Sequence, residues 1–159
     1  MSVLFSKACQ YAIQSVIYLA AQQPDTPILQ RDIAEALDIP NHFLGKILQQ
    51  LARHGIVVSQ KGKAGGFLLS QPPEEISLLR VAKIVDGESF LDYCVVGFPG
   101  CQDENPCPLH PLWSSAKKII IQMLRDTPVT ELSDEIQTKL DYIASMHTGE
   151  LDVDSDSGG

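Results

Sequence analysis

The sequence predicts a mainly α chain with one small β-hairpin. Three observations carry this. Helix-spaced apolar residues recur three times before residue 54, two short β-branched and aromatic runs flank a glycine-containing turn at 61–65, and a long, broadly apolar helix follows a proline-rich loop.

The first helix is expected over 7–22. Ser6 is its N-cap, and Cys9, Ile13, Val16, Ile17 and Ala20 recur at helical spacing. QPDTP (23–27) breaks it. Residues 30–37 make a short second helix with Ile33, Ala34 and Leu37 inward, and DIPN (38–41) is a turn. A third helix over 41–53 buries Leu44, Ile47, Leu48 and Leu51 and leaves His42, Gly45, Lys46, Gln49 and Arg53 on its outer side. That outer face has donors and no acid, which suits a helix lying in a DNA major groove.

Residues 56–60 and 66–70 read as paired strands, with Lys61 and Lys63 in the turn. Helix, turn, helix, basic hairpin is the order of a winged helix-turn-helix DNA-binding domain, expected over 1–75. Ser77 starts a fourth helix that ends near Asp86, with Leu78, Val81, Ala82 and Val85 inward and Gly87 beyond. A fifth helix over 112–126 is apolar on more than one stripe: Leu112, Ala116, Ile119, Ile120, Met123 and Leu124. So wide a face predicts a partner chain and hence a homodimer. A sixth helix is expected near 133–146, carrying Ile136, Leu140 and Ile143. Residues 76–148 form the loop and dimerisation helices, and the acidic end, 149–159, is expected to be disordered.

The net charge of -8 argues at first against nucleic acid. Its distribution reverses that: residues 39–73 hold no Asp or Glu but contain Lys46, Arg53, Lys61 and Lys63. No apolar run approaches the roughly 20 residues of a membrane span. The start lacks a secretory signal, so a cytoplasmic protein with no membrane partner is expected.

Three of the four cysteines, with one histidine, fall within seventeen residues: Cys94, Cys101, Cys107 and His110. Thiols clustered in a reducing compartment suggest metal binding or redox response. The intervening gaps are six, five and two residues, without the tight cysteine pairs of structural zinc sites. Longer gaps let a loop wrap an iron–sulfur cluster; zinc and a thiol switch are the alternatives. Cys9 sits on the apolar face of the first helix and reads as core. An enzyme with Cys107 as nucleophile and His110 as base lacks a visible orienting third residue and leaves the helix–wing order unexplained.

Four stretches then resemble one family, the IscR- and NsrR-type winged-helix transcription regulators. They are SKACQYAI (6–13), FLGKILQQLARHGIVVSQKGKAGGFLLSQPPEEI (43–76), VAKIVDG (81–87) and CVVGFPGCQDENPCPLHPLW (94–113). The resemblance implies a dimeric regulator of a double-stranded DNA operator, controlled by an iron–sulfur cluster on Cys94, Cys101 and Cys107. His110 matches the histidine that completes a 2Fe–2S site in IscR-type members. NsrR-type members take an acid from the partner's first helix for a 4Fe–4S cluster; Gln10 stands there in this chain, which favours 2Fe–2S. The resemblance also makes Lys61 the wing-tip contact, Lys63 a second backbone contact, and His42, Phe43 and Lys46 the base-edge candidates beside Gln49 and Arg53. IscR-type readers often have Glu where this chain has Gly45, so their base preference does not carry over. The alternative is a zinc-binding or metal-free winged-helix regulator switched by thiol chemistry or a protein partner.

Overall fold

The computed structural model describes residues 4–149. In chain order these form α1 (Lys7–Ala20), α2 (Gln30–Leu37), α3 (Asn41–Arg53), β1 (Val57–Gln60), β2 (Gly66–Leu69), α4 (Leu78–Asp86), α5 (His110–Asp126) and α6 (Val129–Thr148). This is the mainly α fold with a hairpin wing that the sequence predicts. The acidic end from residue 150 lies outside the described residues.

Ser6 caps α1 by accepting the Cys9 N–H at 3.0 Å. It also anchors the helix to α4. The Ser6 N–H donates to one carboxylate oxygen of Asp86 at 2.8 Å, and its hydroxyl donates to the other. The buried row of α1 is Cys9, Ala12, Ser15, Val16 and Leu19. Ile13, Ile17 and Ala20, expected inward, are only half-buried. A serine tolerates this burial because its hydroxyl donates to Tyr11 O at 2.7 Å.

Asp38 adopts a left-handed conformation, φ 54°, and stops α2. Ile39 then drops into the core, and Pro40 leads into α3. Leu44, Ile47, Leu48 and Leu51 are buried as expected. Burying each such side chain stabilises the fold by about 1.5–3 kcal/mol.

The wing is antiparallel, with Val57 opposite Leu69 and Gln60 opposite Gly66. Its root is tied to the chain before α2: Ile28 and Phe67 exchange N–H···O bonds of 2.9 and 2.8 Å. Gly66 is required at that root. A Cβ there would stand 2.4 Å from Ile28 O, and the residue has φ 146°.

Two side chains join α3 to α4. Gln50 Nε2 donates to Ile84 O at 3.0 Å, and Arg80 Nη2 donates to His54 O at 2.8 Å. Ser77 precedes α4 without making a side-chain cap bond.

Both C-terminal helices are longer than expected. α5 starts at His110 rather than 112, because Pro111 sits in the first turn, where no intrahelical N–H is needed. Leu124 is buried and Ile120 and Ile121 pack against the core, while Leu112, Ile119 and Met123 are 69%, 68% and 50% exposed. α6 starts at the fully buried Val129 rather than 133 and packs along α1 and α2. Among the described residues no helix is long and apolar enough to cross a membrane.

Candidate metal centre and nucleic-acid interface

The loop between α4 and α5 is held at both ends. Leu91 is buried and Phe90 stacks on Phe5 at 6.0 Å, which fixes the start. Trp113 of α5 donates its indole N–H to Tyr93 O at 2.8 Å, beside Cys94. Gly97, at φ 82°, completes a turn by donating its N–H to Cys94 O at 2.9 Å. The His110 N–H donates to Cys107 O at 3.0 Å, so the last cysteine and the helix start form one turn.

These contacts bring three thiols together. The sulfurs of Cys94, Cys101 and Cys107 all lie within 4.8 Å of one another, and all three cysteines are free and half-buried. Cys94 and Cys107 are 3.8 Å apart. His110 joins them through Nδ1, 3.2 Å from Cys101 Sγ. Its Nε2 lies 2.9 Å from Asp103 Oδ1. A carboxylate only accepts, so Nε2 carries the proton and Nδ1 faces the sulfurs with its lone pair.

The electrostatics favour ionised ligands unevenly. Burial pushes the Cys94 thiol up, but hydrogen bonds from the Phe98 and Val96 backbone and from Cys107 and Cys101 outweigh it, bringing it to about 7. The Cys107 N–H pulls Cys101 down, yet burial and the neighbouring thiols leave it above the usual range. Asp103 is held low, first by its hydrogen bond from His110, then by the positive charge the ring carries whenever it is protonated, and by Lys117 and Lys118. Three thiols and an aimed imidazole nitrogen fit the donor needs of an iron–sulfur cluster and also those of zinc.

Cys9 stands apart. It is fully buried, and desolvation followed by the charge and hydrogen bond of Asp86 pushes its thiol up to about 12. Asp103 was missed in sequence because loop residues carry no period that relates them. It supplies the orienting group absent from the nucleophile reading, but it orients His110 toward Cys101, not Cys107.

On the other side, His42, Lys46, Gln49 and Arg53 are exposed along α3. Phe43 is partly committed to α1, meeting Tyr11 edge-on at 5.7 Å. Lys61 and Lys63 are exposed between the strands. The structure adds Gln30, from the start of α2. It lines one open groove with His42, Gly45, Lys46, Gln49 and Arg53. An eight-residue helix read alone gives no sign that its first residue meets α3.

Comparison with known proteins agrees with this architecture. Residues 5–135 match the model of the Rrf2 family, described as an iron-dependent transcriptional regulator. The HTH-type transcriptional regulator IscR of Yersinia pseudotuberculosis is 30% identical over 123 residues, covering 77% of this chain and 74% of that protein. In structure, the chain is similar to CymR, the global cysteine regulator of B. subtilis, with TM-score 0.68 and 22% identity over 82% of this chain and 95% of that one. It is similar to T. potens IscR with TM-score 0.66 and 19% identity, over 84% and 88%. The helix-turn-helix, the wing and the cysteine loop all lie within the matched residues, so this chain belongs to the Rrf2 family and is a transcriptional regulator, not an enzyme.

Proposed function

We propose that this regulator binds a double-stranded DNA operator as a homodimer, in the cytoplasm, with an affinity set by an iron–sulfur cluster on Cys94, Cys101, Cys107 and His110. The observation that carries the reading is the convergence of three sulfurs within 4.8 Å with His110 Nδ1 3.2 Å from one of them. A 2Fe–2S cluster is the better match than 4Fe–4S, because an imidazole nitrogen is already aimed at the thiols.

Residues 1–75 would read DNA, 76–148 would hold the cluster and the partner, and the acidic 149–159 would form a tail. When bound, a cluster supplies a redox-sensitive bond between the loop and α5. The chain's own residues convey its presence. His110 is the first residue of α5, so a ligand set that includes it ties the start of that helix to Cys94 and the Trp113–Tyr93 contact. The exposed Leu112, Ile119 and Met123 form the face that a second copy would cover. On DNA, His42, Phe43 and Lys46 would meet base edges, with Gln49 and Arg53 on the same outer face, while Lys61 would reach the minor groove or phosphate and Lys63 the backbone. A difference of about 1–3 kcal/mol between two dimer geometries would change operator affinity roughly 5- to 150-fold.

The test is an absorption spectrum of anaerobically purified protein, with iron, sulfide and zinc assayed on the same sample. Equimolar iron and sulfide at about two per chain supports the 2Fe–2S reading. Cys101→Ala should lose the cluster and the cluster-dependent DNA affinity while the wing domain stays folded. A Cys101→Ala protein that keeps both sinks the proposal.

One observation favours a second reading. Cys94, with its thiol at about 7, lies 3.8 Å from Cys107. In a thiol switch these two would form a disulfide, passing two electrons and two protons to a peroxide that leaves as water. Iron-free protein that gains this bond on oxidation, with altered DNA affinity, would favour the switch. One zinc per chain would favour a zinc regulator.

A further inference from the structure

The open groove of α3 contains a side chain from outside that helix. Gly45 lies on the outer side of α3, and a Cβ there would come within 2.8 Å of Gln30 Nε2 and 3.0 Å of Gln30 Oε1. The carboxamide of Gln30 therefore fills the room a side chain at 45 would need. It is held in place by donating from Nε2 to Asn41 O at 2.9 Å and to Asn41 Oδ1 at 3.0 Å. Its Oε1 has no hydrogen-bond partner among the described residues. Lys46 and Arg53 border the same groove, and α3 carries no acid, so the surroundings favour a DNA duplex.

We propose that Gln30 is a specificity-determining residue, and that its carboxamide reads an adenine edge in the major groove through the space left by Gly45. The inference rests on the operator-binding reading above. A carboxamide offers one acceptor and one donor side by side, the complement of the adenine N6 amino group and N7, whereas a carboxylate suits cytosine and a guanidinium suits guanine. The bond to Asn41 O fixes the amide plane. For Nε2 to donate to N7 as well, its contact with the exposed Asn41 Oδ1 would be given up and the bond to Asn41 O kept. Gly45 and Gln30 thus act as one unit: a residue with a side chain at 45 evicts the amide, and a glycine admits it.

The test is selection of binding sites from a random duplex library by the full-length protein, purified anaerobically. Wild type should enrich a motif with an A·T pair at one fixed position of each half-site. Gln30→Ala should keep the rest of the motif but lose that preference, with affinity for the wild-type site falling roughly 5- to 150-fold. Gly45→Ala should lose the same position, since its methyl group displaces only the far end of a surface side chain, and the double variant should lose nothing more. Gln30→Glu should move the preference toward C·G. An unchanged motif with Gln30→Ala overturns the inference alone. So does an equal loss on every duplex, as a purely structural role would give. A wild-type protein that enriches no motif overturns the operator-binding reading, and this inference with it.

Discussion

The imidazole of His110 is committed on one side: its Nε2 lies 2.9 Å from the carboxylate of Asp103. This leaves Nδ1 as the nitrogen that meets the thiols, 3.2 Å from Cys101 Sγ. A ligand histidine whose other N–H is held in this way is fixed in tautomer and ring orientation. Asp103→Asn should therefore leave the fold unchanged and weaken metal retention about 10- to 100-fold. Iron loss under a chelator challenge, with circular dichroism as the folding control, measures it. Equal retention by variant and wild type would reduce Asp103 to a surface contact.

The thiols should separate by reactivity in metal-free protein. The thiolate is the reacting form, and Cys94 reaches half ionisation at about 7, whereas Cys9 stays protonated up to about 12. Alkylation of Cys94 should rise from pH 6 to 8 and then level off. At pH 8 Cys9 should react at least ~1,000-fold more slowly, from thiolate fraction alone. Peptide mass spectrometry over a pH series reads both rates, and a fast Cys9 would contradict its burial.

Lys61 is exposed at the wing turn, and in the proposed complex it meets phosphate or a groove edge. Lys61→Ala should lower the slope of log affinity against log salt by about one and weaken all duplexes alike. Titration at four salt concentrations decides it; an unaltered slope would remove Lys61 from the interface.

Ile119 is 68% exposed on α5, between Leu112 and Met123. If a second copy covers this face, Ile119→Glu buries an unpaired charge there, at a cost of about 3–5 kcal/mol. Dimer dissociation should then rise more than ~100-fold. Light scattering over a concentration series reports it, and a variant that stays dimeric would place the interface elsewhere.

Most of the winged-helix region was legible because each helix carries its own apolar spacing and its own stop. α2 and α3 end where Asp38 and the turn before Gly55 lie, and the four buried positions of α3 are those the spacing predicts. The C-terminal half was harder for physical reasons. Pro111 looks like a helix breaker in a loop rich in proline, yet at the first helical turn it has no hydrogen bond to break. Val129 starts α6 because it is buried against other elements, which local pattern cannot show. The cysteines were visible as a cluster in sequence, but Asp103 was not. Nor was Gln30, whose position has meaning only once α2 and α3 are packed together.

The ties between α3 and α4, from Gln50 to Ile84 O and from Arg80 to His54 O, bear on what any signal can alter. They join α3, the proposed reading helix, to the element from which the cysteine loop departs, and Asp86 joins that element to the cap of α1. To rotate α3 by itself, a change in the loop would have to break these bonds. Such a protein would keep its alphabet and change its ruler: each reading head would recognise the same letters, and the state of the loop would set how far apart two copies of the word must be written.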